Sequence, residues 1–208
     1  MHPESLIFDI DGTLWDSRAI VARGFNLQLC AEGHPELCVT AEQLKQLFGK
    51  TMTEIADQML SSIPIPQRYD LMERCMEMEQ NLLRNDPCRV GYPGTAETLA
   101  ELTQRHRLYI VSNSQQGYPE LAMEKLGIRH LFRGHLCFGD TGTDKGDTIR
   151  ALMAKHGISS AVYIGDTQGD SEAAGKAGIP FIWASYGFGT PERWDGKIDR
   201  FSDLARLF

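Results

Sequence analysis

The chain has 208 residues, 42% of them hydrophobic, and a formal net charge of −7. That composition supports a globular protein with one large or two smaller cores. The acidic balance argues against a general nucleic-acid or anionic-membrane binder, and no apolar run approaches the roughly 20 residues that span a bilayer.

The N-terminus shows no basic flank followed by an apolar core, so no signal peptide is expected. The cysteines, at positions 30, 38, 75, 88 and 137, are odd in number and form no Cys-x-x-Cys pair. Reduced thiols in a cytoplasmic protein fit that pattern better than a disulfide framework or a structural zinc site.

Residues Leu6 to Asp16 read LIFDIDGTLWD. A short apolar run bounded by a turn signal reads as a buried strand, and Asp9 and Asp11 sit where it opens into a loop. From Asp16 to about Asp86 the pattern is helical. Asp16 or Ser17 can cap a helix carrying Ile20 and Val21. Thr40 with Gln43 and Thr51 with Glu54 each form a capping box, and Pro66 suits a first helical turn. Met72, Cys75, Met76, Glu79, Leu82 and Leu83 then follow helical spacing with one polar interruption.

After Pro87 the pattern alternates. Helices are expected over Thr95–Arg105, over Tyr118–Leu126 with Gly127 as its stop, from an Asp147 cap to Gly157, and over Ser171–Ala177 before Gly178. Between them, Leu108–Val111, Leu136–Phe138, Ala161–Ile164 and Pro180–Ala184 read as strands. Alternating strands and helices imply a doubly wound α/β fold on a mainly parallel sheet. The sheet domain is then discontinuous, 1–14 with 88–208, and a helical insertion occupies 15–87.

Three apolar runs end in polar residues: Asp9-Ile10-Asp11-Gly12-Thr13, Ser112-Asn113-Ser114, and Gly165-Asp166-Thr167-Gln168-Gly169-Asp170. Parallel neighbouring strands bring such ends to one edge of the sheet, where open α/β sheets bind ligands. Four carboxylates gathered there repel one another, and a hard cation resolves this. Mg2+ is the usual choice where phosphate is also bound. Lys145 can neutralise a phosphate oxygen, and a Ser hydroxyl with backbone N–H groups near Asn113 can hold the others.

Other sites fail on the text. A Ca2+ loop needs Glu at its twelfth position, which is Ile20 counted from Asp9 and Ala177 counted from Asp166. Lys145 is followed by Gly146, not Ser or Thr as a Walker loop requires. No Gly-x-Gly-x-x-Gly follows the first strand, and neither a Gly-x-Ser-x-Gly elbow nor a His-Glu-x-x-His helix is present.

These residues resemble the motifs of the haloacid dehalogenase-like (HAD) superfamily of Mg2+-dependent phosphatases. Asp9-Ile10-Asp11-Gly12-Thr13-Leu14 looks like its first motif, Ser112 its second, Lys145 its third, and Gly165 to Asp170 its fourth. The helical insertion and Gly91-Tyr92-Pro93-Gly94 resemble the phosphoglycolate phosphatase and β-phosphoglucomutase branch, with a Rossmann-like core and an all-helical cap. The departure is Gly146, where many relatives have Pro.

The resemblance implies a phosphatase acting on a small phosphorylated metabolite, with no nucleic-acid or membrane partner. Asp9 is then the nucleophile, forming an aspartyl-phosphate, and Asp11 the acid and base. Mg2+ is held by Asp9, the Asp11 carbonyl and Asp166, with Asp170 behind them. Ser112, Asn113 and Lys145 cradle phosphate, and Lys50 in the cap is a candidate substrate contact. Hinges are expected near 15–17 and 83–89. Two other readings share these residues: a β-phosphoglucomutase-like phosphomutase, and a phosphate-binding module without turnover. The sequence fixes neither the substrate nor an oligomeric state.

Overall fold

The computed structural model describes residues 3–208. The first apolar run forms β1 (Ser5–Phe8), every residue of which is buried. It is followed in chain order by β2 (Arg107–Ser112), β3 (Phe132–Cys137), β4 (Ala161–Gly165), β5 (Phe181–Ala184) and β6 (Gly196–Ile198). The six strands form one sheet in the order β3-β2-β1-β4-β5-β6, and every pairing is parallel. Strands buried on both faces have no polar side to alternate with, which is why β1, β2 and β4 read as continuous apolar runs.

The chain divides into two compact units, one reaching Asp16 and resuming over Val90–Phe208, the other Ser17–Arg89. In the first, helices α5 (Thr95–Leu102), α6 (Tyr118–Leu126), α7 (Phe138–Thr141), α8 (Lys145–His156), α9 (Gln168–Ala177) and α10 (Leu204–Leu207) link or follow the strands. On one face, Ile7, Tyr109, Val111 and Tyr163 share a buried cluster with Ile149 and Leu152 of α8 and with Ala173 and Ala174 of α9. Phe8 points to the opposite face, where it stacks on Phe201 at 6.0 Å, just before α10, which packs on α5. Helices therefore cover both faces, a doubly wound Rossmann-like α/β architecture. Strand order reverses beside β1, between β2 and β4, and a crevice for ligands opens at such a switch point.

The second unit is helical: α1 (Arg18–Ala31), α2 (Ala41–Lys45), α3 (Met52–Met59) and α4 (Gln67–Asn85). Both expected capping boxes form, Thr40 with Gln43 and Thr51 with Glu54. Ser17 stands at the N-cap of α1 without a side-chain capping bond. Phe25, Leu29, Leu44, Ile55, Leu60, Leu71, Met72 and Cys75 make one core. No helix among the described residues is long and apolar enough to cross a membrane.

Three local expectations are corrected, and one strand had no expectation. The third strand is not Leu136–Phe138 but β3, which starts at Phe132; it is the edge strand, and Arg133, Gly134 and His135 dilute its apolar pattern. Asp144, not Asp147, caps α8, accepting the Asp147 N–H at 3.2 Å. Helix α9 starts at Gln168, three residues before Ser171, because Thr167 caps it. The short edge strand β6 had no periodic signal in three residues.

Helices α1 and α4 approach closely at Gly24. A Cβ there would lie 2.8 Å from Glu79 Cα and 3.0 Å from Glu79 N, both backbone atoms that cannot yield alone. Gly24→Ala should therefore cost about 1–3 kcal/mol of overpacking, despite a helix-propensity gain of roughly 0.5–1 kcal/mol. Urea unfolding reads this directly, and a raised midpoint would contradict it.

Candidate active site

Asp9 follows β1 and extends its pairing with β4 by donating its N–H to Ile164 O at 2.9 Å. The chain then turns sharply: Leu14 N–H returns to Ile10 O at 2.8 Å and Gly12 N–H to Trp15 O at 2.9 Å. Gly12 has φ +82°, and a Cβ there would collide with the Asp166 carboxylate, so only glycine fits. Gly187 is packed against the Asp166 side chain and Gly12 O in the same way.

Ser112 ends β2 and Asp166 directly follows β4. Lys145 is the first residue of α8, not a residue preceding it. The ends of different strands thus deliver Asp9, Ser112 and Asp166 to the carboxyl edge of the sheet, with Lys145 and Asp170 from the helices that follow.

The buried Lys145 ammonium donates to Asp9 Oδ1 at 2.9 Å and to Asp170 Oδ1 at 2.7 Å. Asp170 Oδ2 accepts from Asp166 N–H at 3.1 Å, Thr167 N–H at 2.9 Å and Thr167 Oγ1 at 2.7 Å. Asp170 therefore already has donors on both oxygens. Asp166 differs: its Oδ2 accepts the Phe188 N–H at 2.6 Å, while its Oδ1 is buried without a partner.

Asp9, Asp166 and Asp170 each offer an oxygen within 4.8 Å of the others. Asp9 is raised to about 7: burial pushes it up, Lys145 pulls it back, and Asp170 and Asp11 add to the rise. Burial, with Asp170 and Asp9, holds Asp166 well above the usual carboxylate range. For Asp170 burial is outweighed by Lys145 and the Thr167 donors, so its carboxyl is lowered. Burial works against the charge on Lys145, yet Asp170 and Asp9 raise it above its usual value. One ammonium does not balance three buried carboxylates. The orphaned Asp166 oxygen and the elevated Asp9 and Asp166 fit a hard divalent cation with oxygen ligands.

Asp11 does not join this oxygen cluster. Its Oδ1 accepts the Trp15 indole N–H at 2.7 Å and the Tyr118 hydroxyl at 3.0 Å. Ser112 is buried and its Oγ accepts the Ser114 N–H at 3.2 Å; Asn113 is half-buried beside it. Lys50 lies in the helical unit, where it donates to Gln58 Oε1 at 2.8 Å.

Several contributors have no place in the sequence reading. Thr167 holds Asp170, and its signal was present, since Thr167-x-x-Asp170 is itself a capping box. The loop after β5 supplies Gly187, the Phe188 N–H and Tyr186, whose hydroxyl donates to Thr13 O at 2.8 Å. Backbone donors of this kind leave no motif.

The fold and its acidic edge define an α/β protein of the doubly wound kind, with its site at the strand-order reversal. Residues 6–184 match the family model described as haloacid dehalogenase-like hydrolase, and the chain belongs to that family. A phosphoglycolate phosphatase of Aliivibrio fischeri is 29% identical, over 95% of this chain and 91% of that protein. A predicted phosphoglycolate phosphatase from Haemophilus somnus superposes with TM-score 0.87 at 22% identity, covering 100% of this chain and 98% of that one. CbbY from Rhodobacter sphaeroides, solved in complex with phosphate, gives 0.78 at 22% identity, covering 97% and 96%. The protein is an enzyme, a phosphoric monoester hydrolase of the HAD-like type.

In EDTA, stability should fall between about pH 4 and pH 7. Asp9 and Asp166 keep protons in the folded state that the unfolded chain has released there, so the folded state binds more protons and loses stability as pH rises. Asp170, being lowered, already contributes fully above its unfolded value. Subtracting the pH dependence of Asp9→Asn isolates the Asp9 share, up to roughly 4 kcal/mol. Urea midpoints at pH 5 and pH 7 read roughly 2–3 kcal/mol of it, and wild-type stability that rises relative to Asp9→Asn over that interval would have the wrong sign. Lys145→Met leaves Asp9 and Asp170 buried without their counter-ion and should cost about 3–5 kcal/mol at pH 7 by the same measurement.

Proposed function

We propose that the protein is a Mg2+-dependent phosphatase that cleaves a small phosphomonoester through an aspartyl-phosphate on Asp9. The observation that carries this reading is the buried trio of Asp9, Asp166 and Asp170 around Lys145, with the Asp166 Oδ1 left open. Asp9, the Asp11 carbonyl and Asp166 would hold the cation, which supplies charge neutralisation between the attacking carboxylate and the phosphate.

In the first step an Asp9 oxygen bonds to phosphorus as the ester oxygen departs, taking a proton from Asp11. In the second, Asp11 accepts a proton from the water that attacks the aspartyl-phosphate, releasing phosphate and restoring the Asp9 carboxylate. Lys145 uses two of its three N–H bonds on Asp9 and Asp170 and has a third for a phosphate oxygen. Ser112 Oγ and the Asn113 N–H complete the cradle, stabilising charge where it grows in the transition state. Asp170 orients Lys145 and the Asp166–Thr167 backbone.

The helical unit is assigned the role of cap, and Lys50 that of substrate contact. In support, the chain leaves and re-enters the α/β unit at adjacent points, Asp16 N–H donating to Val90 O at 2.7 Å. Five free thiols suit a cytoplasmic enzyme. The phosphoglycolate phosphatase relative, aligned over nearly the whole chain, supports 2-phosphoglycolate as the substrate.

A phosphomonoester panel including 2-phosphoglycolate and a hexose 1-phosphate, run with Mg2+ or with EDTA, tests this. Phosphate release should require Mg2+ and be fastest with 2-phosphoglycolate. Asp9→Asn should lose on the order of 10⁴-fold or more; substantial turnover in that variant, or an isomerised sugar in place of free phosphate, would overturn the assignment.

A further inference from the structure

Asp11 Oδ1 is held from two sides. Trp15, fully buried, donates its indole N–H at 2.7 Å, and Tyr118, also buried, donates its hydroxyl at 3.0 Å. The two rings meet edge to face, with centroids 5.7 Å apart and planes at 77°, an arrangement aromatic pairs favour. An indole nitrogen can only donate, so the direction of its bond is fixed. Against a carboxylate, the phenol O–H donates as well.

Both ends of this clamp are anchored. Trp15 pairs with Asp11 across the turn and with Gly91 on the returning chain. Tyr118 is the first residue of α6, set there by Gly117, which takes φ +86°. The loop after β1 and the loop after β2 are thereby joined at one carboxylate oxygen.

We propose that Trp15 and Tyr118 are positioning residues that fix the Asp11 carboxyl so that its proton is carried, given and received at Oδ2. Two donors occupy the lone pairs of Oδ1, so that oxygen cannot also bear a proton without expelling one of them. With Oδ1 pinned at two points, rotation about the Cβ–Cγ bond is arrested and Oδ2 keeps one direction. Such fixing is what general acid catalysis needs, because the transfer requires the proton donor in line with the departing oxygen. The inference rests on the reading of Asp11 as the acid that protonates the leaving group.

The test uses kcat/KM, which covers only the steps through phosphoryl transfer to Asp9 and so reports the departure of the leaving group. An alkyl phosphate needs a proton on its leaving oxygen, whereas p-nitrophenolate departs without one. Tyr118→Phe, which keeps the ring, should lower kcat/KM for the alkyl ester about 10- to 100-fold, part of the roughly 10²–10⁴ that a general acid supplies. The loss with p-nitrophenyl phosphate should be at least about tenfold smaller. Trp15→Phe provides an independent version, and a thermal midpoint near wild type shows that either variant is folded.

Asp11→Asn should discriminate between the two esters more strongly still. In the Asp11→Asn background, Tyr118→Phe should add no further loss, since the hydroxyl acts through Asp11. Equal losses on both esters, or additive losses in the double variant, would reduce the pair to structural support and overturn the proposal. If Asp11→Asn itself fails to discriminate, the reading of Asp11 as the acid falls with it. If Asp11→Asn discriminates while Tyr118→Phe and Trp15→Phe do not, the clamp alone is wrong.

Discussion

Three buried carboxylates facing one ammonium form the constraint on which this structure depends. Asp9, Asp166 and Asp170 are all shielded from water, and Lys145 sits among them at 5% exposure. Removing ions from water is costly unless each finds a partner. Asp170 meets that requirement within the protein, through Lys145 and through the N–H and hydroxyl groups of Thr167 and the N–H of Asp166. Asp9 shares Lys145, and Asp166 is satisfied on one oxygen only. The residual negative charge is therefore concentrated on the two acids that directly follow β1 and β4.

The sheet makes that concentration tolerable. β1 and β4 are neighbours, and β1 continues into the site without a break in backbone hydrogen bonding, as the Asp9 N–H to Ile164 O bond shows. The acids are thus held by rigid strands whose burial supplies the stability, and electrostatic strain is confined to a few side chains. The loop after β5 closes the arrangement from the other side. Its Phe188 N–H fixes one Asp166 oxygen, and Gly187 has no Cβ where one would strike Asp166. Stability comes from the sheet and its helices, while the acidic edge carries the unbalanced charge that the proposed cation would neutralise.

The sequence made most of this legible where a chemical pattern coincided with a periodic one. Apolar runs ending in Asp9, Ser112 and Gly165-Asp166 located three strand ends, because strands buried on both faces cannot hide among amphipathic helices. Capping boxes at Thr40 and Thr51 located helix starts for a local reason, a hydroxyl and a carboxyl or amide three residues apart. The same logic explains the misses. Asp144 and Asp147 are both good caps, and the choice between them depends on where the chain leaves the preceding turn. β3 lies at the sheet edge, where polar Arg133 and His135 are tolerated. The Thr167-x-x-Asp170 capping box set Asp170 apart in the sequence, but the open Oδ1 of Asp166 was not legible, since it depends on which N–H groups the folded loops aim at that carboxylate.

Trp15 and Tyr118 are the instructive omission. Each has an ordinary explanation in sequence, one as an apolar residue near the start of the helical insertion, the other as the first residue of a helix. Only folding brings Tyr118 onto an oxygen of Asp11, 107 positions away, beside the Trp15 indole. The result is a division of work between the two aspartates of the first loop. The Lys145 ammonium holds Asp9 and opposes the rise that burial imposes on its carboxyl. Asp11 lies outside the oxygen cluster, and its Oδ1 takes hydrogen bonds from the Trp15 indole and the Tyr118 hydroxyl. Two carboxylates two residues apart thereby come to differ in setting, and the proposed roles of nucleophile and proton carrier call for a difference of that kind.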